Sequence, residues 1–88
     1  MKPLNSTEAL TLVKECITEI VPDADFTGVR PDDKFRDVLE LDSLDFLTLV
    51  ERLAARTGAR IDEDDYPELA TLADTVHFLV ARTGQGVR

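Results

Sequence analysis

The sequence predicts an all-α fold: a small four-helix bundle of three longer helices and one short helix, with a long loop between the first two. Apolar residues recur at helical spacing in three segments, capping residues bound those segments, and no segment alternates like a strand. The chain has 88 residues, a length that fits one domain. We expect a single domain over residues 1–88, ordered from about 5 to 82, with a flexible tail over 83–88.

The first helix is predicted from Ser6 to about Ile20. Asn5 or Ser6 can cap it, and Glu8 follows Asn5 by three residues, as in a capping box. Pro22 ends the helix because proline lacks an N–H donor and clashes with the preceding turn. The apolar residues that recur in it at helical spacing are Ala9, Val13, Cys16, Ile17 and Ile20.

The next segment, "PDADFTGVRPDDKFRDVLEL", has two prolines, one glycine and no sustained period, which indicates a long ordered loop. Within it, Asp23–Lys34 places Asp, Asp, Thr and Gly at the first, third, fifth and sixth positions of an EF-hand calcium loop. Lys34 stands where that loop requires a glutamate, so we reject a specific calcium site. The side chains expected to hold the loop on the core are Phe26, Val29, Phe35, Val38 and Leu39.

The second helix is predicted over Ser43–Thr57, with Gly58 as its C-terminal cap. Leu44, Leu47 and Ala54 lie well round the helix from its core face, so they form a displaced apolar flank that a partner can contact. Single exposed leucines are also normal on protein surfaces, so the flank alone decides nothing. The predicted core face consists of Phe46, Leu49, Val50 and Leu53.

The last two helices are predicted in the C-terminal third. A short helix lies within "DEDDYPEL", where the acidic residues of Asp62–Asp65 are expected to cap the helix start and to attract divalent cations only weakly. The fourth helix begins at Thr71, with Asp74 three residues later, and "RTGQGVR" at the end is expected to be frayed. The apolar residues along it are Leu72, Val76, Leu79 and Val80.

Composition restricts the possible partners. Acidic residues outnumber basic ones 18 to 10, giving a net charge of −8, which argues against nucleic acid or an anionic membrane and favours basic patches on other proteins. No apolar run reaches the roughly 18 residues of a membrane span, and the N-terminus lacks a signal-peptide core. The single cysteine, Cys16, cannot form an internal disulfide and is expected to pack in the core. We expect a soluble, cytoplasmic monomer.

Ser43 has two readings at the residue level. Serine and aspartate both favour the N-cap position, so Asp42 or Ser43 can begin the second helix, and capping is the commoner role for such a serine. A nucleophilic role needs an activating base, and the only histidine, His77, falls on the polar side of the fourth helix. A Ser-His-Asp hydrolase is therefore poorly supported.

The order of these parts resembles the acyl carrier proteins of the phosphopantetheine-attachment family. The resemblance covers about Glu8 to Ala81: "DSLDFLTLVERL" matches the attachment motif, and "RIDEDDYPELATLADTVHFL" matches the third and fourth helices without a gap. Phe35 and Leu39 fall where the family has a loop aromatic and an apolar anchor. A bare Asp-Ser-Leu triplet is a weak signal, but the triplet with this helix order, length and acidity is specific.

The resemblance implies that Ser43 is esterified to 4′-phosphopantetheine, taken from coenzyme A by a separate transferase, with Asp42 and Leu44 flanking the attachment site. The thiol of this arm carries acyl groups as thioesters, and the chain itself is not an enzyme. The implied partners are the phosphopantetheinyl transferase and enzymes that load or use acyl groups, of ligase, ketosynthase or acyltransferase type. The implied docking residues are Leu44, Asp45, Leu47 and Glu51.

Three departures from the family pattern bear on the pathway. The run Glu40–Asp42 lacks the glycine that the family often has two or three residues before the serine, and Arg52 and Arg56 interrupt a helix that is usually acidic. Phe46 replaces a smaller residue and is expected to limit the acyl pocket. Because of these departures, a carrier for polyketide or related specialised biosynthesis fits the sequence at least as well as a carrier for fatty-acid synthesis. The alternatives are a peptidyl or aminoacyl carrier of a nonribosomal pathway, and an unmodified acidic helical interaction module.

Overall fold

The computed structural model describes residues 4–85, and its secondary structure is helical throughout. Four α-helices follow one another: α1 (Ser6–Ile20), α2 (Phe35–Val38), α3 (Ser43–Thr57) and α4 (Leu72–Gln85). Two 3₁₀ helices cover Phe26–Gly28 and Glu63–Leu69. The described part of the chain contains no strand beyond an isolated bridge, so the predicted all-α class, with three longer helices and a short one before the last, is confirmed.

The core lies between the three long helices. α1 packs against both α3 and α4, and the 3₁₀ helix Glu63–Leu69 packs against α4. The four predicted core residues of α3 are all buried, and each fully buried side chain of this kind stabilises the fold by roughly 1.5–3 kcal/mol. The buried apolar residues are Ala9, Val13, Cys16, Ile17, Phe35, Leu41, Phe46, Leu49, Val50, Leu53, Leu69, Leu72, Phe78 and Leu79.

The helix ends carry the caps that the sequence predicts. The Asn5 side chain accepts from the Glu8 N–H at 2.7 Å, while the Glu8 carboxylate accepts from the Asn5 N–H at 3.2 Å. α3 ends at Gly58, whose φ of 75° is left-handed and whose N–H donates to the Ala54 carbonyl. The Thr71 hydroxyl accepts from the Asp74 N–H at 3.0 Å, so Thr71 caps α4 and the helix begins one residue later than predicted.

The long connection is more regular than predicted, because it contains the first 3₁₀ helix and the single turn of α2. Phe35 is fully buried, and Phe26, Val29 and Leu39 pack against the core. Val38 was expected to join them, but it is 45% exposed. Phe35 and Leu39 stand one turn apart on the inward side of α2, and Val38 lies about 100° round from Leu39.

The short third helix of the prediction is present, but it is a seven-residue 3₁₀ helix containing Pro67. Proline has no N–H to donate, which disfavours the α-helical hydrogen-bond pattern here. Of the acidic residues expected as caps, Asp62 occupies the N-cap position. Asp65 does more than cap, since it is buried and pairs with Arg82 of α4 at 2.9 Å.

α4 extends further than predicted. Thr83, placed in the expected tail, is buried; its hydroxyl donates to the Leu79 carbonyl at 2.8 Å and accepts from the Leu4 N–H at 3.2 Å. The segment expected to be frayed is therefore helical as far as Gln85, and residues 86–88 lie outside the described residues. Within residues 4–85, no helix has the length and apolar character needed to cross a membrane.

Candidate functional site

The structure separates the two readings of Ser43. Asp42 is the N-cap of α3: its carboxylate accepts from the Asp45 N–H at 2.8 Å, and the Asp45 carboxylate accepts from the Asp42 N–H at 3.4 Å. Ser43 is the first helical residue and is exposed, and its hydroxyl has no hydrogen-bond partner within the described chain. Because Asp42 provides the cap, the Ser43 hydroxyl is not needed to cap α3.

A left-handed turn leads the chain into this site. α2 ends at Val38 with Leu39 as its C-cap, Glu40 adopts a φ of 57°, and the Leu41 N–H donates back to the Arg36 carbonyl at 2.8 Å. This pattern is a Schellman motif, in which glycine normally occupies the left-handed position. Glu40 stands three residues before Ser43, within the run that lacks the family's usual glycine. The sequence departs from the family there, yet the backbone has the conformation that glycine favours.

The predicted docking residues fall into two groups. Leu44, Leu47 and Glu51 share one face of α3 at i, i+3 and i+7 spacing, and the two leucines are 74% and 41% exposed. Asp45 is half-buried at the adjacent position and belongs to the capping box. Ala54, predicted with the displaced flank, is half-buried as well. We call the exposed face formed by Leu44, Leu47 and Glu51 the α3 flank.

The two arginines that interrupt the acidity of α3 pair with carboxylates of α1. Arg52 contacts Glu19 at 2.9 Å, and Arg56 contacts Glu15 at 3.2 Å and Glu19 at 3.3 Å. Each exposed pair contributes only about 0–1 kcal/mol to stability. Their positions matter more, because these cations face α1 and leave the α3 flank without an added positive charge.

A surface cleft of about 590 Å³ opens beside Ser43, a volume within the usual range for small-ligand sites. Phe46, expected from the sequence to limit such a pocket, lines it together with Tyr66. The two rings meet edge to face, with centroids 5.3 Å apart and planes at 88°. The remaining lining residues are Lys34, Arg36, Asp37, Leu41, Leu47, Pro67, Leu69 and Ala70.

Arg36 gives the cleft a cationic wall that the sequence did not reveal. Its guanidinium carbon lies 4.5 Å from the centroid of the Phe46 ring, a cation–π distance. Its Nε is buried and has no hydrogen-bond partner within residues 4–85. Arg36 and Tyr66 were missed as site residues because they are brought to Ser43 by the chain's path, and no spacing in the sequence signals it.

The other chemically reactive side chains lie apart from this cleft. Cys16 is buried in α1, and burial raises the pKa of its thiol above the ordinary value of 9.0. His77 is exposed on α4 and does not line the cleft. Asp25, part of the rejected calcium loop, accepts hydrogen bonds from the hydroxyl and N–H of Thr27, which hold the pKa of its carboxyl below the usual value. The described residues contain no group of three acidic, histidine or cysteine side chains able to hold a metal.

Comparison with known proteins points to one family. Residues 11–79 match the family described as "Phosphopantetheine attachment site". An acyl carrier protein of Acidothermus cellulolyticus is 33% identical over 82 residues, which cover 91% of this chain and 94% of that protein. An acyl carrier protein of Tropheryma whipplei is 36% identical over 72 residues, covering 78% and 88%. One from Solidesulfovibrio magneticus is 32% identical over 76 residues, covering 83% and 97%.

Proposed function

Because this chain belongs to the phosphopantetheine-attachment family of acyl carrier proteins, which bear a covalent 4′-phosphopantetheine and are not enzymes, we propose that Ser43 carries this group. The thiol at the end of the arm then holds an acyl chain as a thioester, and the protein presents that chain to partner enzymes. The observation that carries the proposal lies at the start of α3. There Asp42 provides the cap, and Ser43 stays exposed, with no hydrogen-bond partner for its hydroxyl in the described chain.

The start of α3 suits a phosphodiester on Ser43. The first N–H groups of a helix have no partner within the helix, and the helix dipole is positive at that end. The Asp42 carboxylate accepts from the Asp45 N–H, which leaves the N–H groups of Ser43 and Leu44 for the phosphodiester oxygens. The cofactor supplies the reactive sulfur, so the chain has only to hold the arm, expose it and be recognised.

We further propose that partners dock on the α3 flank, with Asp45 at its edge. Exposed leucines beside acidic side chains fit a partner surface that is apolar with a basic rim, and the net charge of −8 attracts such a surface. The partners are the transferase and acyl-handling enzymes of fatty-acid, polyketide or related biosynthesis. The pairing of Arg52 and Arg56 with α1 keeps the flank compatible with either class of pathway.

The test is a mass measurement after incubation with coenzyme A and a broad-specificity phosphopantetheinyl transferase. The wild-type chain should gain the mass of one arm. Ser43→Ala should gain nothing while keeping its helical circular dichroism, and Ser6→Ala, which removes the other serine of the chain, should be loaded like wild type. A Ser43→Ala protein that still gains the arm contradicts the assignment. A wild-type chain that gains none supports an unmodified interaction module instead.

A further inference from the structure

Arg36 is a cation in the cleft beside Ser43 to which arm attachment gives no role. We propose that Arg36 binds an oxygen atom of the carried acyl group, so that the cleft selects a short, oxygenated acyl chain over a long saturated one. The proposal rests on the proposed function, because the acyl group reaches the cleft only on an arm attached to Ser43.

Arg36 has hydrogen-bond donors that lack acceptors in the described part of the chain. The cation–π contact with Phe46 provides no hydrogen-bond acceptor for the N–H donors of the guanidinium. The Nε is buried without an acceptor, and none of the ion pairs found in residues 4–85 includes Arg36. A buried donor without an acceptor is unfavourable, and Arg36 lines the cleft, so an oxygen brought into the cleft offers an acceptor to a guanidinium that has no carboxylate partner in residues 4–85.

The cleft is bounded by tightly packed side chains. Leu41, Phe46 and Leu69 line it and are themselves buried, so the cleft lies directly on the packed core. Phe46 and Tyr66, which also line it, are in edge-to-face contact. A chain that extends beyond the cleft must displace close-packed side chains, whereas a short chain fits within the existing volume.

Chemistry then distinguishes the acyl groups that fit. A saturated chain laid along the cleft shields Arg36 from water and offers its N–H groups no acceptor, which is costly. A carbonyl, hydroxyl or carboxylate oxygen a few atoms from the thioester supplies that acceptor. The other charged groups lining the cleft are Lys34 and Asp37, both exposed, and their opposite charges leave Arg36 as the partly buried cation.

The phosphodiester of the arm is the other oxygen-rich group within reach. It is attached at the exposed Ser43, where the free N–H groups of α3 already provide donors. Arg36 instead lies over the ring of Phe46, which is buried one turn further along the helix. The placement therefore favours the acyl group as the ligand of Arg36, and the experiment below distinguishes the two.

The central comparison of the experiment is between two acyl groups, butyryl and 3-oxobutyryl, that differ by one carbonyl oxygen. The transferase loads Ser43 with the arm alone, or with the arm carrying butyryl, 3-oxobutyryl or octanoyl, and the melting temperature of each form is measured. In wild type, 3-oxobutyryl should raise the melting temperature above that of the butyryl form by about 4 °C or more, the shift expected for one charged hydrogen bond in a domain of this size. The octanoyl form should show no advantage over butyryl.

Two variants make the comparison specific. Arg36→Met keeps an unbranched side chain against Phe46 but removes the donors, so the difference between 3-oxobutyryl and butyryl should disappear. Arg30→Met, at an exposed position outside the cleft, should retain it. In ¹⁵N NMR spectra, the Arg36 Nε–H signal, identified by its loss in Arg36→Met, should shift with 3-oxobutyryl and stay in place with butyryl. Each comparison is made within one variant, so a general loss of stability cancels.

The contrary outcomes are distinct. An equal or larger shift for butyryl or octanoyl in wild type overturns the inference, as does an oxygen-dependent shift that survives in Arg36→Met. If Arg36→Met reduces the stabilisation given by the bare arm and every acyl form equally, Arg36 serves the phosphodiester and the inference is wrong. A wild-type chain that gains no mass overturns this inference and the proposed function together, whereas a loaded chain without an oxygen-dependent shift overturns this inference alone.

Discussion

The Leu41 N–H donates to the Arg36 carbonyl oxygen over 2.8 Å, and this bond closes a left-handed turn at Glu40, whose φ is 57°. A non-glycine residue in this conformation costs roughly 1–2 kcal/mol because its Cβ crowds the following carbonyl. The turn fixes the chain just before Asp42 and Ser43, so its geometry sets the start of α3. The chain thus keeps a strained glutamate at the approach to the proposed attachment site.

Glu40→Gly is expected to stabilise the protein. Glycine removes the Cβ strain but loses more conformational freedom on folding, which offsets roughly 0.5–1 kcal/mol of the gain. The free energy of unfolding, measured by urea denaturation, should therefore rise by about 0.5–1 kcal/mol. Asp37→Gly, an exposed site within α2, is the matched control and should lower it. Equal or lower stability in Glu40→Gly means that the glutamate makes a compensating contact.

This turn also shows where sequence reasoning stops. The helices α1 and α3, of 15 residues each, were predicted with the right boundaries because apolar periodicity repeats over several turns and both ends are capped. α2 has four residues, too few for a period to be visible, so the turn that positions Ser43 was read as loop. Asp42 and Ser43 are equally good caps in the sequence, and only the hydrogen bond from Asp45 decides between them.

Arg36 and Tyr66 were not predicted as site residues because they approach Phe46 only in the folded chain. The Arg36 side chain of α2 reaches the Phe46 ring of α3, and Tyr66 contacts the same ring from a helix twenty residues further along. Such long-range contacts leave no local pattern. The buried Asp65 was likewise read as a cap, since its partner Arg82 lies 17 residues away. Family resemblance predicted Ser43 because the attachment motif is local, while the cleft beside it depends on tertiary packing.

Leu47 and Leu49 of α3 provide a test of the docking surface. Leu47 is 41% exposed, whereas Leu49 is 1% exposed. Leu47→Ala should slow loading by the transferase, or turnover by an acyl-handling partner, with a stability loss below about 1 kcal/mol. Leu49→Ala should lower stability by about 2–5 kcal/mol. A core-sized stability loss with normal turnover in Leu47→Ala would show that Leu47 is a packing residue.

The ion pair between Asp65 and Arg82 is expected to hold the second 3₁₀ helix on α4. Asp65 is buried, so Arg82→Met leaves a buried carboxylate without its charged partner and should cost about 1–3 kcal/mol of unfolding free energy. Arg60, which pairs with Asp62 on the surface, is the matched control: Arg60→Met should cost about 0–1 kcal/mol. Urea denaturation measures both, and similar losses in the two variants contradict the special role of the Asp65 pair.

Cys16 should be inert in the folded protein, so that a thiol reagent labels only the arm. Burial raises the pKa of its thiol above 9.0, and the reactive thiolate is therefore scarce at about pH 8. Iodoacetamide at that pH should leave the native unloaded chain unlabelled and add one label to the loaded chain, as counted by mass.

The raised pKa of the Cys16 thiol stabilises the folded state at pH values below the ordinary thiol pKa. This contribution is lost as pH rises through the raised value, so labelling should accelerate there. Cys16→Ala, once loaded, should still take one label. Rapid labelling of the native unloaded wild type at about pH 8 would show that α1 opens far more readily than its packing indicates.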